Sequence, residues 1–296
     1  MIDQVPYVIR NNLNEYFLQT THTEVDFTNF KFTAGGSINQ AGQLSTSQGN
    51  YFLKWNDRFK YPGMFAAESK GLALIGQTNT VCTPKILLTG ETDLHQFLLL
   101  EFLYADTKSK TYWTDLGYQL ANLHRISNST FGLDHDNYIG SLPQRNAVCD
   151  SWIEFFVTQR LTPLLQHLTE TKNISTDFRQ SIEKIFSKLD EIFPPEMPSL
   201  LHGDLWSGNA IVNGQGGPAV IDPAVYYGHR EAELAFTRLF GGFEKGFYES
   251  YCHHFPLEHG FEQRKDVYNL YPLLVHAILF GDSYLGQVKR IIKHFT

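Results

Sequence analysis

Residues 199–213 read SLLHGDLWSGNAIVN, in which charged and small residues interrupt two apolar runs. The stretch follows the proline-rich segment IFPPEMP at residues 192–198. A strand or helix that only packs against a core needs no histidine, aspartate and asparagine at its centre, because unpaired polar groups are costly to bury. The mixture therefore indicates a loop that holds charged groups for a function.

The spacing of the polar residues in this loop is typical of a phosphoryl-transfer site. Asn209 comes five residues after Asp204, and Asp222 follows at the end of the apolar run in PAVIDPA (218–224). In phosphoryl transfer from a nucleotide, one aspartate accepts the proton of the acceptor hydroxyl, while an asparagine and a second aspartate hold Mg²⁺ on the phosphates. The protein-kinase catalytic loop has the same step from Asp to Asn. The alternative is a hydrogen-bonded loop that only caps its neighbours.

The composition sets limits on the class of protein. The chain has 296 residues, 42% of them hydrophobic, which is enough for a large core and favours two lobes over one. The net charge is −7 without a run of Lys or Arg, so we expect no nucleic-acid partner. The apolar run QFLLLEFLY (96–104) is interrupted by Glu101 and is too short to span a bilayer, so we expect no membrane partner.

The N-terminus and the cysteines favour a cytoplasmic location. MIDQVPYVIRNN (1–12) lacks the basic stretch and apolar stretch of a signal peptide. The three cysteines are widely and irregularly spaced and include no CxxC pair. This usage fits reduced thiols better than a disulfide framework or a zinc site.

The N-terminal third combines strand patterns with two helix patterns. Val5, Ile9, Leu13 and Phe17 recur every four residues and predict a helix. YPGMFAAESKGLALIG (61–76) predicts a second helix, with a proline near its start and a glycine near its end. The strand-like runs are EVDFTNFKF (24–32), NYFLKWN (50–56), TVCTPKILLTG (80–90) and HQFLLLEFLY (95–104).

After about residue 104 the patterns become helical. The amphipathic segments are YWTDLGYQLANLHRI (112–126), SWIEFFVTQRLTPLLQHL (151–168), DFRQSIEKIFSKLDEIF (177–193) and YNLYPLLVHAILFGDSYLGQVKRIIKHF (268–295). We therefore predict an α+β protein with a small sheet-rich lobe at residues 1–103, containing one internal helix, and a larger helical lobe at residues 104–296.

Two charged residues in the N-terminal lobe fit a nucleotide site. Lys54 lies within a strand-like run, and Glu68 follows fourteen residues later on the predicted internal helix. A strand lysine paired with a helix glutamate holds the α- and β-phosphates in kinases. The alternative for Lys54 is a solvated position on an edge strand.

Two further segments are candidates for contacts with the nucleotide. Gly35, Gly36 and Ser37 follow a strand, and glycines there let backbone N–H groups approach phosphate closely. The segment matches neither GxGxxG nor a Walker loop, so an ordinary hairpin turn is the alternative. Main-chain groups of the strip Glu101, Phe102 and Leu103 would bind an adenine edge, unless the strip is only a buried strand.

The chain resembles the fructosamine kinase (ketosamine kinase, fructosamine-3-kinase) family, within the aminoglycoside-phosphotransferase-like branch of the protein-kinase-like fold. The most specific motifs are LLHGDLWSGN (200–209), IDPAVYYGHREAELA (221–235) and FGLDHDNYIGSLPQRN (131–146). The resemblance covers nearly the whole chain. It implies a two-lobe fold with a small antiparallel sheet in the nucleotide-binding N-terminal lobe, and a mostly helical C-terminal lobe with the catalytic loop and acceptor site.

The resemblance also implies a reaction and a role for each site residue. The reaction is ATP-dependent phosphorylation of a sugar hydroxyl, on carbon 3, of a ketoamine adduct formed from a sugar and an amine. The acceptor is then a small molecule or a glycated amine. Carried over to this sequence, Asp204 accepts the proton, Asn209 and Asp222 are the Mg²⁺ ligands, Lys54 and Glu68 form the ion pair, and residues 101–103 contact adenine.

The sequence departs from the protein-kinase pattern in ways that favour a small acceptor. Gly203 stands where protein kinases have Arg, and Asp222 is followed by Pro-Ala and then by a predicted helix, without a long activation segment. Trp206, Tyr226 and Tyr227 flank the two catalytic segments and are candidates for binding the acceptor, because aromatic faces suit sugar C–H surfaces and cations. Core packing is the alternative for all three.

Two other functions stay open from the sequence. One is a kinase of another small alcohol, such as an aminoglycoside or choline, since those relatives share the Asp–Asn–Asp core. The other is a pseudokinase that binds nucleotide without turnover. The presence of Lys54, Glu68, Asp204, Asn209 and Asp222 argues against the pseudokinase.

The sequence predicts no oligomeric state. His202 is expected to brace the catalytic loop rather than to act as the base.

Overall fold

A five-stranded antiparallel sheet forms the first part of the structure, which is a computed structural model that describes residues 1–33, 38–104, 107–172 and 174–295. The strands are β1 (Phe27–Phe32), β2 (Gln40–Thr46), β3 (Gly49–Asp57), β4 (Ile86–Glu91) and β5 (His95–Glu101). Their order in the sheet is β1-β2-β3-β5-β4, so β3 and β5 are interior strands. Strand β2 was not predicted.

Helix α1 (Tyr7–Thr21) covers one face of this sheet. Ile9, Leu13 and Phe17 are buried on one side of the helix, as their spacing predicts. They share a hydrophobic cluster with sheet residues that include Leu53 and Leu99. Burial of each such side chain stabilises the fold by roughly 1.5–3 kcal/mol relative to leaving it exposed.

Helix α2 (Met64–Gln77) covers the opposite face of the sheet. Leu98 and Leu100 of β5 pack with Phe65 and Leu72 of α2, whereas their neighbour Leu99 belongs to the α1 cluster. Side chains of a strand alternate between its two faces, so this pattern assigns even-numbered residues of β5 to the α2 side.

Helices make up most of the second part of the chain. They are α3 (Tyr112–His124), α4 (Trp152–Phe155), α5 (Thr162–Lys172), α6 (Thr176–Phe186), α7 (Leu189–Ile192), α8 (Arg230–Leu239), α9 (Lys245–His254), α10 (Phe261–Tyr268), α11 (Leu270–Phe280) and α12 (Leu285–Phe295). A π-helical segment, Phe156–Leu161, joins α4 to α5. Gly117 allows α3 to lie close to α9, because a Cβ atom there would be 2.3 Å from the carbonyl oxygen of Phe247.

Short strand pairs lie among these helices and frame the polar motifs. Strand β6 (Asn137–Ile139) pairs with β7 (Leu142–Gln144), and β8 (Ser199–Leu201) pairs with β11 (Tyr226–Gly228). Strand β9 (Ala210–Val212) pairs with β10 (Pro218–Val220). All three pairs are antiparallel. They bring the loops around Asp204 and Asp222 together.

The observed elements correct the sequence predictions at three places. The single helix predicted over 177–193 is wrong, because α6 and α7 are separated at Ser187 and Lys188. The helical pattern over 151–168 contains the π-helical segment, and the strand pattern over 80–90 becomes a strand only at Ile86. The division after Leu103 stays a prediction. Among the helices that the structure describes, none is long and apolar enough to cross a membrane.

Candidate active site

The loop from residue 202 to residue 209 connects β8 to β9 and is fixed by a buried carboxylate. Glu233 on α8 accepts hydrogen bonds from the backbone N–H groups of His202 (3.1 Å) and Gly203 (2.7 Å). At the other end of the loop, the Asn209 amide donates to the main-chain oxygen of Asp204 (2.8 Å) and to its carboxylate (3.2 Å). The loop is therefore held on both sides of Asp204.

His202 braces the loop, as predicted. Its Nε2 donates to the carbonyl oxygen of Ile221 (2.9 Å), and its Nδ1 accepts from the backbone N–H of Asp204 (3.3 Å). These two bonds require the neutral tautomer with the proton on Nε2. Complete burial of the ring lowers its pKa, which favours the same neutral form. With both nitrogens engaged, His202 has no free nitrogen for a proton from an acceptor.

Glu233 and His124 form a second buried layer that the sequence analysis missed. His124 on α3 donates from Nε2 to Glu233 (2.8 Å), and its Nδ1 lies 2.8 Å from the hydroxyl of Tyr251. Burial alone would raise the pKa of Glu233, but the hydrogen bond and charge of His124 outweigh burial and lower it. Glu233 is thus an ionised carboxylate that joins α3 and α8 to the catalytic loop.

Gly203 explains the departure from the protein-kinase pattern at this position. Its φ is +84°, a left-handed conformation that side chains other than glycine rarely adopt. A Cβ atom here would also lie 2.0 Å from the carbonyl oxygen of Ala224. The catalytic loop and the segment after Asp222 approach too closely for any other residue.

Lys54 lies between two carboxylates in the centre of the site. Its Nζ is 2.8 Å from Glu68 Oε1 on α2 and 2.7 Å from Asp222 Oδ1. Lys54 pairs with Leu98 across β3 and β5, so its side chain points to the α2 side of the sheet. Burial alone would lower the pKa of Lys54, but Asp222 and Glu68 outweigh burial and raise it. The solvated edge-strand alternative is wrong, because β3 is interior and Lys54 is buried.

Asn209 and Asp222 lie at the same end of the β9–β10 pair. The N–H of Ile221 donates to the carbonyl oxygen of Asn209 (3.1 Å), which places the residue before Asp222 beside Asn209. The amide nitrogen of Asn209 is engaged by Asp204, so its Oδ1 is the atom that can accept a hydrogen bond or bind a metal ion. Asp222 adopts a φ of +56°, and its side chain is 43% exposed. One amide oxygen and one carboxylate are ligands that suit Mg²⁺.

Asp204 lies on the walls of two cavities. A cavity of about 470 Å³ is lined by Lys54, Glu68, Asn209 and Asp222, and Asp204 lies on its wall. A second cavity, of about 520 Å³, also has Asp204 on its wall. Burial and then the charge of Asp222 raise the pKa of Asp204 to about 8, against the hydrogen bond from Asn209. A carboxylate on the walls of both cavities can accept a proton from a molecule in one cavity while a chemical group is transferred to that molecule from the other cavity.

A family model with the description fructosamine kinase matches residues 9–296 of the chain. The chain belongs to the fructosamine kinase family. It is 39% identical over 263 residues to a probable ketoamine kinase of Vibrio cholerae, covering 88% of this chain and 89% of that protein. It is 36% identical over 266 residues to the chloroplastic protein-ribulosamine 3-kinase of Oryza sativa subsp. indica. That alignment covers 88% of this chain and 77% of the rice protein.

Solved structures confirm the predicted protein-kinase-like fold. A candidate fructosamine-3-kinase from Haemophilus somnus 129PT has a TM-score of 0.86 at 30% identity, with 96% of each chain covered. The aminoglycoside phosphotransferase APH(4)-Ia has a TM-score of 0.62 at 14% identity, covering 95% of this chain and 98% of that one. The second likeness concerns the fold alone.

The structure gives less information on the two segments that the sequence analysis predicted to contact the nucleotide. Gly35, Gly36 and Ser37 lie outside the described residues, although Thr33 and Ile38 on either side line the cavity that contains Lys54. The strip Glu101, Phe102 and Leu103 begins where β5 ends and does not line that cavity. The N–H of Glu101 donates to the carbonyl oxygen of Lys85 (2.9 Å).

The three aromatic candidates for acceptor binding lie in different surroundings. Trp206 is 43% exposed and lines both cavities. Tyr226 is buried and lines the second cavity, where the guanidinium of Arg160 is 4.1 Å from its ring centroid. Tyr227 lines neither cavity and packs against the large hydrophobic core. Acceptor binding by Tyr227 stays a prediction, and β11 directs the side chains of Tyr226 and Tyr227 to opposite sides.

In this member of the fructosamine kinase family, the motif at residues 131–146 contacts the segment that follows Asp222. Asn137 of the β6–β7 hairpin donates to the carbonyl oxygen of Val225 (2.8 Å), and Gln144 donates to that of Ala224 (3.0 Å). The two amides are joined by a bond from Gln144 to Asn137 (2.7 Å). The motif was identified in the sequence as specific to the family, but its role in holding the segment after Asp222 was not predicted.

Proposed function

We propose that this chain is an ATP-dependent kinase that phosphorylates a sugar hydroxyl, on carbon 3, of fructosamine or a related ketosamine. Membership in the fructosamine kinase family supports the reaction class. The observation that carries the proposal is the position of Asp204, which lies on the walls of both cavities. One cavity presents Lys54 and the oxygen ligands, and the other is open to an acceptor.

Each site residue then has a separate task. Lys54, held by Glu68, places its positive charge toward the phosphates of ATP. Asp204 orients the acceptor hydroxyl and takes its proton as the phosphoryl group arrives. Asn209 and Asp222 would hold Mg²⁺, which when bound neutralises charge on the phosphates. Asp222 contacts Lys54 through Oδ1, so the same carboxylate serves the lysine and the metal.

The nucleotide base and the remaining phosphate contacts belong to the N-terminal lobe, residues 1–103, in this proposal. Main-chain groups of Glu101 and Leu103 bind the adenine edge, and the backbone of Gly35, Gly36 and Ser37 covers the phosphates. In the described part of the chain the N–H of Leu103 makes no hydrogen bond that would compete with a base. A cytoplasmic location also belongs to the proposal, supported by three cysteines that form no disulfide.

The acceptor is a small molecule because the segment that follows Asp222 is too short to dock a peptide. Only residues 223–229 separate Asp222 from α8, and they include β11, which pairs with β8. An aminoglycoside fits poorly, since a polycation needs several free carboxylates. Asp204 and Glu233 are the carboxylates on the wall of the acceptor cavity, and both oxygens of Glu233 already accept bonds from the protein.

A substrate panel tests the proposal. Purified protein with ATP and Mg²⁺ is offered fructosamine and ribulosamine adducts, free fructose, an aminoglycoside, choline and a serine-containing peptide at equal concentration. ADP release should be fastest with a ketosamine, and phosphorus and carbon NMR should locate the new phosphate on carbon 3. Rapid phosphorylation of an aminoglycoside with no turnover of any ketosamine would contradict the acceptor assignment and leave the kinase chemistry standing.

A further inference from the structure

An aromatic well forms part of the wall of the acceptor cavity beside Asp204. We define it by six rings that line this cavity, namely Trp206, Phe236, Phe240, His276, Phe280 and Tyr284. Helix α8 and the residue after it supply Phe236 and Phe240, and α11 supplies His276 and Phe280. His276 is central, with its ring centroid 4.5 Å from that of Phe240 and 5.2 Å from that of Tyr284.

The well has no positive charge to pair with an anion. Among the described residues that line this cavity there is no Lys or Arg. His276 donates from Nδ1 to the carbonyl oxygen of Pro272 (2.7 Å), and burial lowers its pKa, so its ring is neutral. The ionised carboxylate of Glu233 lies on the wall of the cavity at one end. A ligand that carries its own carboxylate would therefore be repelled there and left unpaired.

The rim of the well is exposed although its residues are aromatic. Trp206, Phe240 and Phe280 are 43%, 39% and 58% exposed. Exposed aromatic side chains grouped around one concave site mark a place where apolar surface is covered by a ligand. Below the rim, Phe236 is 7% exposed and continues the same apolar wall.

We propose that the aromatic well binds the substituent on the amine of the ketosamine, so that the preferred acceptors are adducts of apolar amines, above all aromatic ones. The inference rests on the proposed function. Only a few bonds separate the carbon-3 oxygen from the amine nitrogen on carbon 1. A hydroxyl at Asp204 therefore places the nitrogen beside Trp206 and its substituent among the other rings. The protonated amine is attracted to aromatic faces, and the substituent buries apolar surface.

Three adducts of one sugar separate the contributions of the substituent. The methylamine adduct carries almost no apolar surface, the phenethylamine adduct adds a phenyl ring, and the phenylalanine adduct adds a carboxylate beside the nitrogen. Burial of a phenyl ring predicts a kcat/KM for the phenethylamine adduct about 10–100 times that for the methylamine adduct. The carboxylate should lower kcat/KM of the phenylalanine adduct at least about tenfold below that of the phenethylamine adduct, because it finds no cation.

Truncation of the rim tests the location of the subsite. Phe240→Ala should reduce kcat/KM for the phenethylamine adduct about 10-fold or more and for the methylamine adduct at most about threefold, and Phe240→Leu should restore part of the loss. Because Phe240 is partly exposed, the variant should fold, and equal melting temperatures check this. Phe59→Ala is the matched control, since Phe59 is 70% exposed and lines neither cavity, and it should change neither rate.

The outcomes separate this inference from the proposed function. If the methylamine and phenylalanine adducts react as fast as the phenethylamine adduct, or if Phe240→Ala slows all three equally, the apolar subsite is refuted and the kinase assignment stands. If no ketosamine of any amine is phosphorylated, the proposed function fails, and the inference fails with it.

Discussion

Replacing Glu233 by Gln removes one charge from beneath the catalytic loop and leaves the shape of the side chain unchanged. In the native protein Oε1 accepts from the N–H of Gly203, and Oε2 accepts from the N–H of His202 and from Nε2 of His124. The amide of Gln offers one acceptor oxygen in place of two. Its best orientation keeps that oxygen at the position with two donors, which turns its NH₂ group toward the N–H of Gly203.

The size of the effect follows from this geometry. Leaving the buried N–H of Gly203 without an acceptor costs about 1–3 kcal/mol. The two remaining bonds lose their charge assistance, which removes roughly 0.5–1 kcal/mol from each. We therefore expect Glu233→Gln to lower the free energy of unfolding by about 2–5 kcal/mol. Because Gly203 precedes Asp204, we also expect kcat to fall about 10–100-fold, as a misplaced catalytic group produces.

Urea unfolding and steady-state kinetics provide the measurements. The dissociation constant for ATP should change less than about threefold, because Lys54 and Asp222 do not contact Glu233. Glu262→Gln is the matched control: Glu262 pairs with Arg238 and Lys265 at the surface, where such pairs contribute at most about 1 kcal/mol. A loss of stability below about 1 kcal/mol for Glu233→Gln, together with a kcat within twofold of wild type, would refute the argument.

Three further predictions concern the same site. Asp204→Asn should leave ATP affinity nearly unchanged and reduce kcat by about 10²–10⁴-fold, measured as ADP release, and near-normal turnover would remove Asp204 from the mechanism. Asp222→Ala should abolish the strengthening of ATP binding by Mg²⁺ in calorimetric titrations, and an equal effect of the metal in both proteins would overturn its assignment as a ligand. The pKa of Glu233 is lowered in the fold from about 4.5, so its stabilisation is present above that pH and is lost as pH falls through the folded value. The stability difference between wild type and Glu233→Gln should therefore narrow from pH 7 to pH 3, and a constant difference in urea unfolding would contradict this linkage.

The sequence predicted the fold well where the apolar pattern was regular. The four-residue spacing from Val5 to Phe17 gave α1, and the resemblance to the fructosamine kinase family gave the two-lobe fold. Strand β2 was missed because QAGQLST (40–46) has few β-branched and no aromatic residues, so its conformation depends on pairing with β1 and β3. The break at Ser187 was missed because an apolar stripe continues across it.

Spacing along the chain was sufficient to predict that Asp204, Asn209 and Asp222 lie around one site, since these residues are close in sequence. It was insufficient for Glu233 and His124, which meet over a sequence separation of 109 residues. The sequence on either side of Glu233 and of His124 does not distinguish them from charged residues on the exposed face of an amphipathic helix. The sequence also could not distinguish the surroundings of Tyr226 and Tyr227, because adjacent residues on a short strand point to opposite sides and only the structure shows which one faces the cavity.

The close contact between Gly203 and Ala224 has a consequence for how this activity can be regulated. In protein kinases the loop that follows the metal-binding aspartate is ordered by phosphorylation, through arginines that pair with the new phosphate. Here Gly203, the residue after His202, cannot become an arginine, since even a Cβ atom would lie 2.0 Å from the Ala224 oxygen. A single substitution therefore cannot install such a switch at this position. Control by a phosphate that pairs with an arginine at this position is sterically excluded in this chain.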